Sequence, residues 1–509
     1  MKPLRLLTLA VFAAATLPRL AHRGMFVDGV TYASIARNLA QGQGSFWAPF
    51  YTATIYPRFH EHPPLGFWLQ SLWFRVLGDH LFVERLYAVT IGLATAGLLA
   101  AIYRQLHIDA ATEESTADRH DDRSGGLDRM PVSPRSQSSV GRSPSAVGEE
   151  ALGWLPVILW IAAPVVSWAI VGNLLETTVA LFTTIALAAA VKAGARSDRV
   201  QGLLGAATAW SVLSGSCIVG AGLTKGPVGL FPLAAPALFL LLPDRRRARR
   251  LLAVQWLTVI LWALLLWGWS PARTSLHEYF SQQVMPALAG EREVSQSSFT
   301  IVRAWLQGVV APMFAAGILA VATAGRFVMP SRGVRARALV LFLVGLAGTL
   351  PILASAKQAG HYLVPAVPLF ALAAALVLGP TATIAGQRIS AQRSRTLMNI
   401  VIVLLFFGTI AGSLAPVLGR DRERLAEIDA IAAVVPLGQT VGLCPESNSD
   451  WGLHAWFERR FRVSLDAGDT PHTWFLDTRR ARGSCAPANC TAATDPRRPM
   501  VLMRCRRAD

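Results

Sequence analysis

Long uncharged runs separated by short polar segments make up most of the chain, and the runs are too continuous to be single faces of amphipathic helices. Crossing about 30 Å of hydrocarbon takes about 20 residues. Runs of that order are Leu86 to Tyr103, Leu152 to Leu175, Gln201 to Thr224, Gly226 to Pro243, Leu251 to Ser270, Ala304 to Gly325, Ala338 to Ala356, Tyr362 to Gly379 and Thr396 to Gly419. Leu4 to Leu20 and Thr177 to Val191 are weaker spans, and the second is needed for the basic loops to alternate correctly. The pattern predicts an all-α polytopic membrane protein with about eleven transmembrane helices.

Two segments break the pattern. Residues 105–150 are rich in Ser, Gly, Pro, Arg and Asp with almost no aromatics, which predicts a disordered cytoplasmic insertion. Residues 420–509 carry strand-like runs at Gln439 to Leu443 and Met500 to Met503, with Trp451, Trp456, Phe457, Phe461 and Trp474 available for a core. The expected division is therefore a transmembrane domain, 1–419, and a small α/β C-terminal domain, 420–509.

Composition strengthens this reading. The 509 residues are 53% hydrophobic and only 16% charged, against about 25% charged for soluble proteins, which excludes an ordinary soluble enzyme. A net charge of +17 would suit a nucleic-acid partner, but the basic residues sit in short clusters between apolar blocks, so no nucleic acid is expected. Lys2 and Arg5, Lys192 to Arg199, Arg245 to Arg250, Arg326 to Arg337 and Arg388 to Arg395 all fall on one side when eleven spans alternate. That side is the cytoplasm. Residues 22–81, about 271–303, 356–362 and everything after about 419 are then extracytoplasmic. Lys2, Arg5, Leu6 to Phe12 and Ala13-Ala14-Ala15 also resemble a signal peptide; an uncleaved first helix is the expectation, because cleavage would leave the first outer loop tethered at one end. Four of the five cysteines, Cys444, Cys485, Cys490 and Cys505, lie in the tail, an even number that suits two disulfides in an oxidising compartment, with zinc as the rival.

The outer segments hold the groups suited to chemistry. Asp28 stands just beyond the first helix, either capping a helix at Thr31 or acting as a general base at the water–lipid boundary. The helix after it, with Ile35 and Leu39, is expected to lie amphipathically on the membrane surface. His60, Glu61 and His62 crowd three metal or phosphate ligands before Pro63-Pro64, and an aromatic-rich amphipathic helix follows. A divalent metal and a solvated surface are both open readings there. Lys225, in Thr224-Lys225-Gly226-Pro227, is an ionisable group between two apolar spans, either functional or snorkelling. Lys357, His361 and Tyr362 present a cation, an imidazole and a phenol in one short outer turn, a set suited to a phosphate. Glu176, beside Asn173, adds a carboxylate to the same side.

Four local patterns, in this order, resemble the membrane glycosyltransferases of the C-type fold that use polyprenyl-phosphate sugars, which include the protein O-mannosyltransferases and the lipid A aminoarabinose transferases. They are Asp28 followed by Tyr32-Ala33-x-x-Ala36-Arg37-Asn38, Pro63-Pro64-Leu65 with Trp68, Thr224 to Pro227, and Lys357 with His361-Tyr362 and Pro365. The resemblance covers about residues 5 to 380. It implies transfer of a sugar, with inversion, from a polyprenyl-phosphate donor to an extracytoplasmic acceptor such as lipid A, another envelope glycan, a lipid or a protein. Asp28 would be the base. Lys225, Lys357, His361 and Tyr362 would hold the donor phosphate, and Glu61, His60, His62 and Glu176 would serve substrate or a divalent metal. The implied location is a bacterial-type inner membrane, with site and tail outside the cytoplasm. Two departures stand out: His62 precedes Pro63-Pro64 where relatives often have Lys, and Gly29 follows Asp28 where many have a second acid. The rival class is a secondary transporter or lipid-linked-sugar flippase, which would place ionisable groups near the midplane within related repeats.

Overall fold

A computed structural model describes residues 2–124, 153–195, 205–235, 245–291, 299–353, 358–388, 391–478 and 483–506. The chain opens with α1 (Lys2–Leu20), and the segment after it contributes α2 (Val27–Ala40) and α3 (Leu65–Leu77). The membrane part continues with α4 (Val83–Ser124), α5 (Leu155–Ile161), α6 (Pro164–Val171), α7 (Leu175–Ala195), α8 (Ala206–Lys225) and α9 (Arg245–Gly268). After α10 (Ser270–Tyr279) come α11 (Thr300–Ala322), α12 (Arg332–Leu353), α13 (Val367–Arg388) and α14 (Ala391–Leu414).

Among the described residues, eight helices are long and apolar enough to cross a membrane: they lie within α4, α7, α8, α9, α11, α12, α13 and α14. The other three expected crossings take different forms. α1 is a single helix of 19 residues. The run Leu152 to Leu175 is split into α5 and α6, because Pro164 cannot donate a backbone hydrogen bond and leaves Ala163 extended. Gly226 to Pro243 begins as two 3-10 turns, Gly226–Gly229 and Phe231–Ala234, and residues 236–244 lie outside the described part. The expected insertion at 105–150 is corrected in its first part: α4 runs on to Ser124, a stretch with neither Pro nor Gly to break the helix. Residues 125–150 are not described. The main membrane core joins Leu99, Tyr103, Trp160, Ile170, Leu341 and Leu376.

The tail is α/β, as expected. α15 (Arg422–Ile431) and α16 (Trp451–Phe461) accompany β1 (Thr440–Leu443), β2 (Ser464–Asp466), β3 (Trp474–Asp477), β4 (Cys490–Ala492) and β5 (Val501–Cys505). The strand order is β2-β1-β3-β5-β4, with β1 parallel to β2 and β3 and the remaining pairs antiparallel. Asp450 caps α16 by accepting from the Leu453 amide at 3.2 Å. Disulfides join Cys444 to Cys485 and Cys490 to Cys505. Among the described residues, the metal-like group Cys444, Glu446 and Cys485 is this first disulfide with a nearby acid.

One expectation is overturned. α2 does not lie on a surface, since Gly29 and Val30 and then Tyr32 through Leu39 are all buried. Met25 and Val30 enter the tail's core with Leu453, Trp456 and Phe457. Ile35 and Leu39 pack on Phe59 and Phe67, while Ala33 and Ala36 meet Phe74 and Val83. The helix is covered on nearly every side, its polar Ser34, Arg37 and Asn38 included, which the spacing of Ile35 and Leu39 alone did not reveal.

Candidate active site

Asp28 is the second residue of α2, half-buried, in the first helical turn where a carboxylate faces unpaired amides. The turn is held from below. Asn173, itself in a left-handed conformation with φ 52°, donates through Nδ2 to the Gly29 carbonyl at 3.1 Å and accepts from Gln70 Nε2 at 2.8 Å. Gly29 lies so near this turn that a Cβ there would be 1.8 Å from the Gly172 carbonyl oxygen. Position 29 therefore has no room for a side chain while the Gly172 turn stays where it is.

Glu176 begins α7 and is fully buried. Its Oε1 is 2.7 Å from Lys225 Nζ, at the end of α8, and 3.3 Å from His361 Nε2, in the 3-10 turn Gly360–Leu363. Gly226 ends α8 with φ +74°, and Tyr279 of α10 reaches over it to donate to the Lys225 carbonyl at 3.5 Å. Lys225 Nζ also lies 5.5 Å above the Tyr362 ring. His361 is wedged between Trp168 and Tyr362, with ring centres 5.4 and 4.7 Å away. The buried lysine is therefore paired with a carboxylate and does not snorkel to an interface.

A second layer surrounds this cluster. Tyr32 Oη and His62 Nε2 are 3.0 Å apart. Burial, then the neighbouring Asp28 and Glu176 carboxylates, push the Tyr32 phenol well above its ordinary value, so it stays a proton donor. Asp28 is also close enough to Lys225 for their charges to interact. Tyr56 Oη donates to Glu61 Oε1 at 2.8 Å, and Gln283 Nε2 reaches the same oxygen at 3.3 Å. His60 Nδ1 is 3.3 Å from Ser275 Oγ, and burial pulls this imidazole below its usual value.

The structure thus draws Asp28, Glu176, Lys225, His361, Tyr362 and His62 around one centre, while His60 and Glu61 contact Ser275 of α10 and Gln283 just after it. His60, Glu61 and His62 take three different partners. They form no three-ligand cluster among the described residues, so the reading of one metal site from their adjacency is not supported there. Lys357 lies outside the described residues. Sequence reasoning missed Tyr32, Trp168, Tyr56 and Gln283. Tyr32 had a visible signal, since it sits one helical turn after Asp28.

An apolar cavity of about 550 Å³ opens between α11, α12 and α13. Ala304 and Leu363, beside His361-Tyr362, line it together with Gly308, Met313 and Phe370, and Arg335 stands at the far end. No protein-family model matches the chain, and no curated protein is significantly similar. Solved structures are similar. ArnT from Cupriavidus metallidurans bound to undecaprenyl phosphate superposes with a TM-score of 0.62 at 16% identity, over 92% of this chain and 86% of that one. The apo state of ArnT gives a TM-score of 0.53 at 18% identity, over 90% and 83%. The fold is that of the C-type membrane glycosyltransferases. In this fold the segment bearing α2 and α3, the α8 turn and the His361 turn surround the site, and an apolar cavity adjoins it.

Proposed function

We propose that the protein is an integral-membrane glycosyltransferase that moves a sugar from a polyprenyl-phosphate donor to an extracytoplasmic acceptor. The observation that carries this reading is the convergence of Asp28, His62, Glu176, Lys225, and His361 with Tyr362, from five separate places in the sequence, beside an apolar cavity. An isoprenoid tail needs such a cavity and its phosphate needs cations at the mouth. The likeness to ArnT bound to undecaprenyl phosphate supports the same donor class here.

In this reading Asp28 takes the proton of the acceptor hydroxyl. The freed oxygen bonds to the anomeric carbon on the face opposite the phosphate. The bond from that carbon to the phosphate oxygen breaks with its electron pair, and polyprenyl phosphate leaves on the side of Lys225 and His361. The anomeric centre inverts. Tyr32, kept protonated, donates a hydrogen bond near the reacting centre. Glu61 lines the acceptor side with Tyr56.

The test is transfer from radiolabelled polyprenyl-phosphate sugars in membranes holding the parent chain or Asp28→Asn at matched expression. A general base contributes about 10²- to 10⁴-fold, so Asp28→Asn should lose at least about 10²-fold in rate. Full activity in Asp28→Asn removes it as the base, and a parent that transfers from no donor tried overturns the reaction class.

A further inference from the structure

The Arg37-Asn38 pair of the first outer loop is nine residues past Asp28 and touches nothing in the site described above. Both side chains are buried on the tail's helix α16. Arg37, 1% exposed, donates through Nη2 to Glu458 Oε1 at 2.8 Å and to the Glu458 carbonyl at 3.0 Å, and through Nη1 to the Arg459 carbonyl at 3.2 Å. Its Nε donates to Asn38 Oδ1 at 3.0 Å. Asn38 Nδ2 in turn reaches Glu458 Oε1 at 3.1 Å and the Tyr51 carbonyl at 3.1 Å. Glu458, also 1% exposed, therefore accepts from two successive residues of α2.

The next residue on α16 grips the membrane part. Arg459, 3% exposed, holds Glu84 at the start of α4 through two nitrogens, at 3.1 and 3.4 Å, and donates to Asp79 at 2.7 Å and to the His80 carbonyl at 3.1 Å. Adjacent residues of one tail helix thus tie the far end of α2 to the root of a membrane-crossing helix. The near end of α2 is fixed by Asn173 and Gly172. A helix pinned at both ends holds Asp28 in register, and a misplacement of about 1 Å at a reacting group costs about 10²-fold in rate.

We propose that Arg37 and Glu458 are positioning residues for the transfer reaction, and that the tail domain serves as the abutment that sets the height of Asp28. The proposal rests on the reading of Asp28 as the base. It accounts for the Arg-Asn end of the Asp28 motif, which no chemistry in the site uses. Asp28 and Arg37 are about 14 Å apart along the axis at about 1.5 Å per residue, so Arg37 acts through the helix and not on substrate.

The experiment compares the full-length parent, Glu458→Gln, Arg37→Lys and Arg37→Met in nanodiscs, by steady-state transfer and by hydrogen exchange of peptides covering 27–40, α14 and α16. A misplaced base slows chemistry without weakening the donor site. Glu458→Gln should therefore lower kcat about tenfold or more while the donor KM stays within about twofold. Arg37→Lys, which keeps the charge, should lose less than Arg37→Met, and it is the informative variant should Glu458→Gln fail to fold. Amides of 27–40 should exchange at least about tenfold faster in Glu458→Gln while α14 and α16 keep their parent rates. Parent-like exchange of 27–40 in a folded variant overturns the proposal. So does a joint rise in α16 and 27–40 with kcat and KM moving together, which marks a role in tail stability alone. If the parent transfers no sugar at all, the functional reading fails, and the exchange arm alone decides whether α16 holds α2.

Discussion

At position 29 the absence of a side chain is what lets Asp28 stand where it does. The Gly172 carbonyl occupies the place a Cβ would take, 1.8 Å away, and backbone cannot yield as a flexible side chain can. Overpacking of this kind costs about 1–3 kcal/mol, and the displaced element carries the reactive carboxylate. Gly29→Ala is expected to lower the melting temperature in detergent modestly and transfer by about tenfold or more; parent-like turnover would show that α2 tolerates the shift. Glu176 and Lys225 call for a different test, because each neutralises the other in a buried place. Removing one partner of a buried pair costs about 3–5 kcal/mol, whereas replacing both by apolar groups is often neutral. Glu176→Ala should thus accumulate poorly and melt early, and Glu176→Leu with Lys225→Met should regain the parent's melting temperature yet stay inactive. Activity in that double variant would mean that neither charge serves the reaction.

Among the elements, α16 carries a titratable group that makes the tail sensitive to acid. His454 is 1% exposed, and burial pulls its imidazole below the ordinary value, with the Asn448 carbonyl at 3.1 Å and Asp450 opposing the shift only in part. The folded tail therefore prefers neutral His454. Its contribution to stability is complete above the unfolded value of about 6.5 and is lost as pH falls from there towards the lower folded value. The slope approaches about 1.4 kcal/mol per pH unit for one buried histidine. Tryptophan-monitored unfolding of the tail between pH 7.5 and 5 should show this loss, and His454→Gln should flatten it. Carboxylates held low by partners, such as Asp466 beside His472 and Asp79 beside Arg459, begin to matter only nearer pH 4. An unchanged pH slope in His454→Gln would place the acid sensitivity elsewhere.

The same elements show what sequence reasoning reaches. Membrane helices were legible because hydrophobic length is a one-dimensional property, and both ends of α7 and α11 lie within a few residues of the expected runs; the polar extension of α4 to Ser124 was not legible this way. Asp28, Lys225 and His361 were legible because ionisable groups next to apolar spans are costly and few. The burial of α2 was not, because one of the surfaces that cover it comes from the tail, some 400 positions away, and the others from the rest of its loop and from α6 and α7. Nor was the pairing of Lys225 with Glu176, since nothing local links position 176 to position 225. Long-range partners are set by packing, and no period in the chain encodes them.

For the whole molecule, the division at 419 is less complete than composition suggests. Met25 and Val30 belong to the tail's core, Ala53 and Thr54 hydrogen-bond Ser464 and Leu465, and Arg23 pairs with Asp429. The loop between α1 and α4 thus shares a hydrophobic core and hydrogen bonds with the tail. The apolar cavity between α11, α12 and α13 carries the most discriminating prediction about the donor. Gly308 lines the cavity, and a Cβ placed there meets no atom within 4 Å, so a large side chain can enter the empty space without straining the helix around it. Gly308→Trp should leave the melting temperature within about a degree or two of the parent, since neither cavity creation nor overpacking is involved. If the cavity holds an isoprenoid tail, each buried CH₂ contributes about 0.8 kcal/mol, and an indole excluding even two or three of them raises the KM for a long donor about tenfold or more. A donor whose chain ends short of Gly308, one helical turn or about 6 Å from Ala304, escapes the indole, so its KM should stay put. Equal effects on long and short donors, or none on either, would mean that the tail lies along another face of the bundle and that this cavity serves something else.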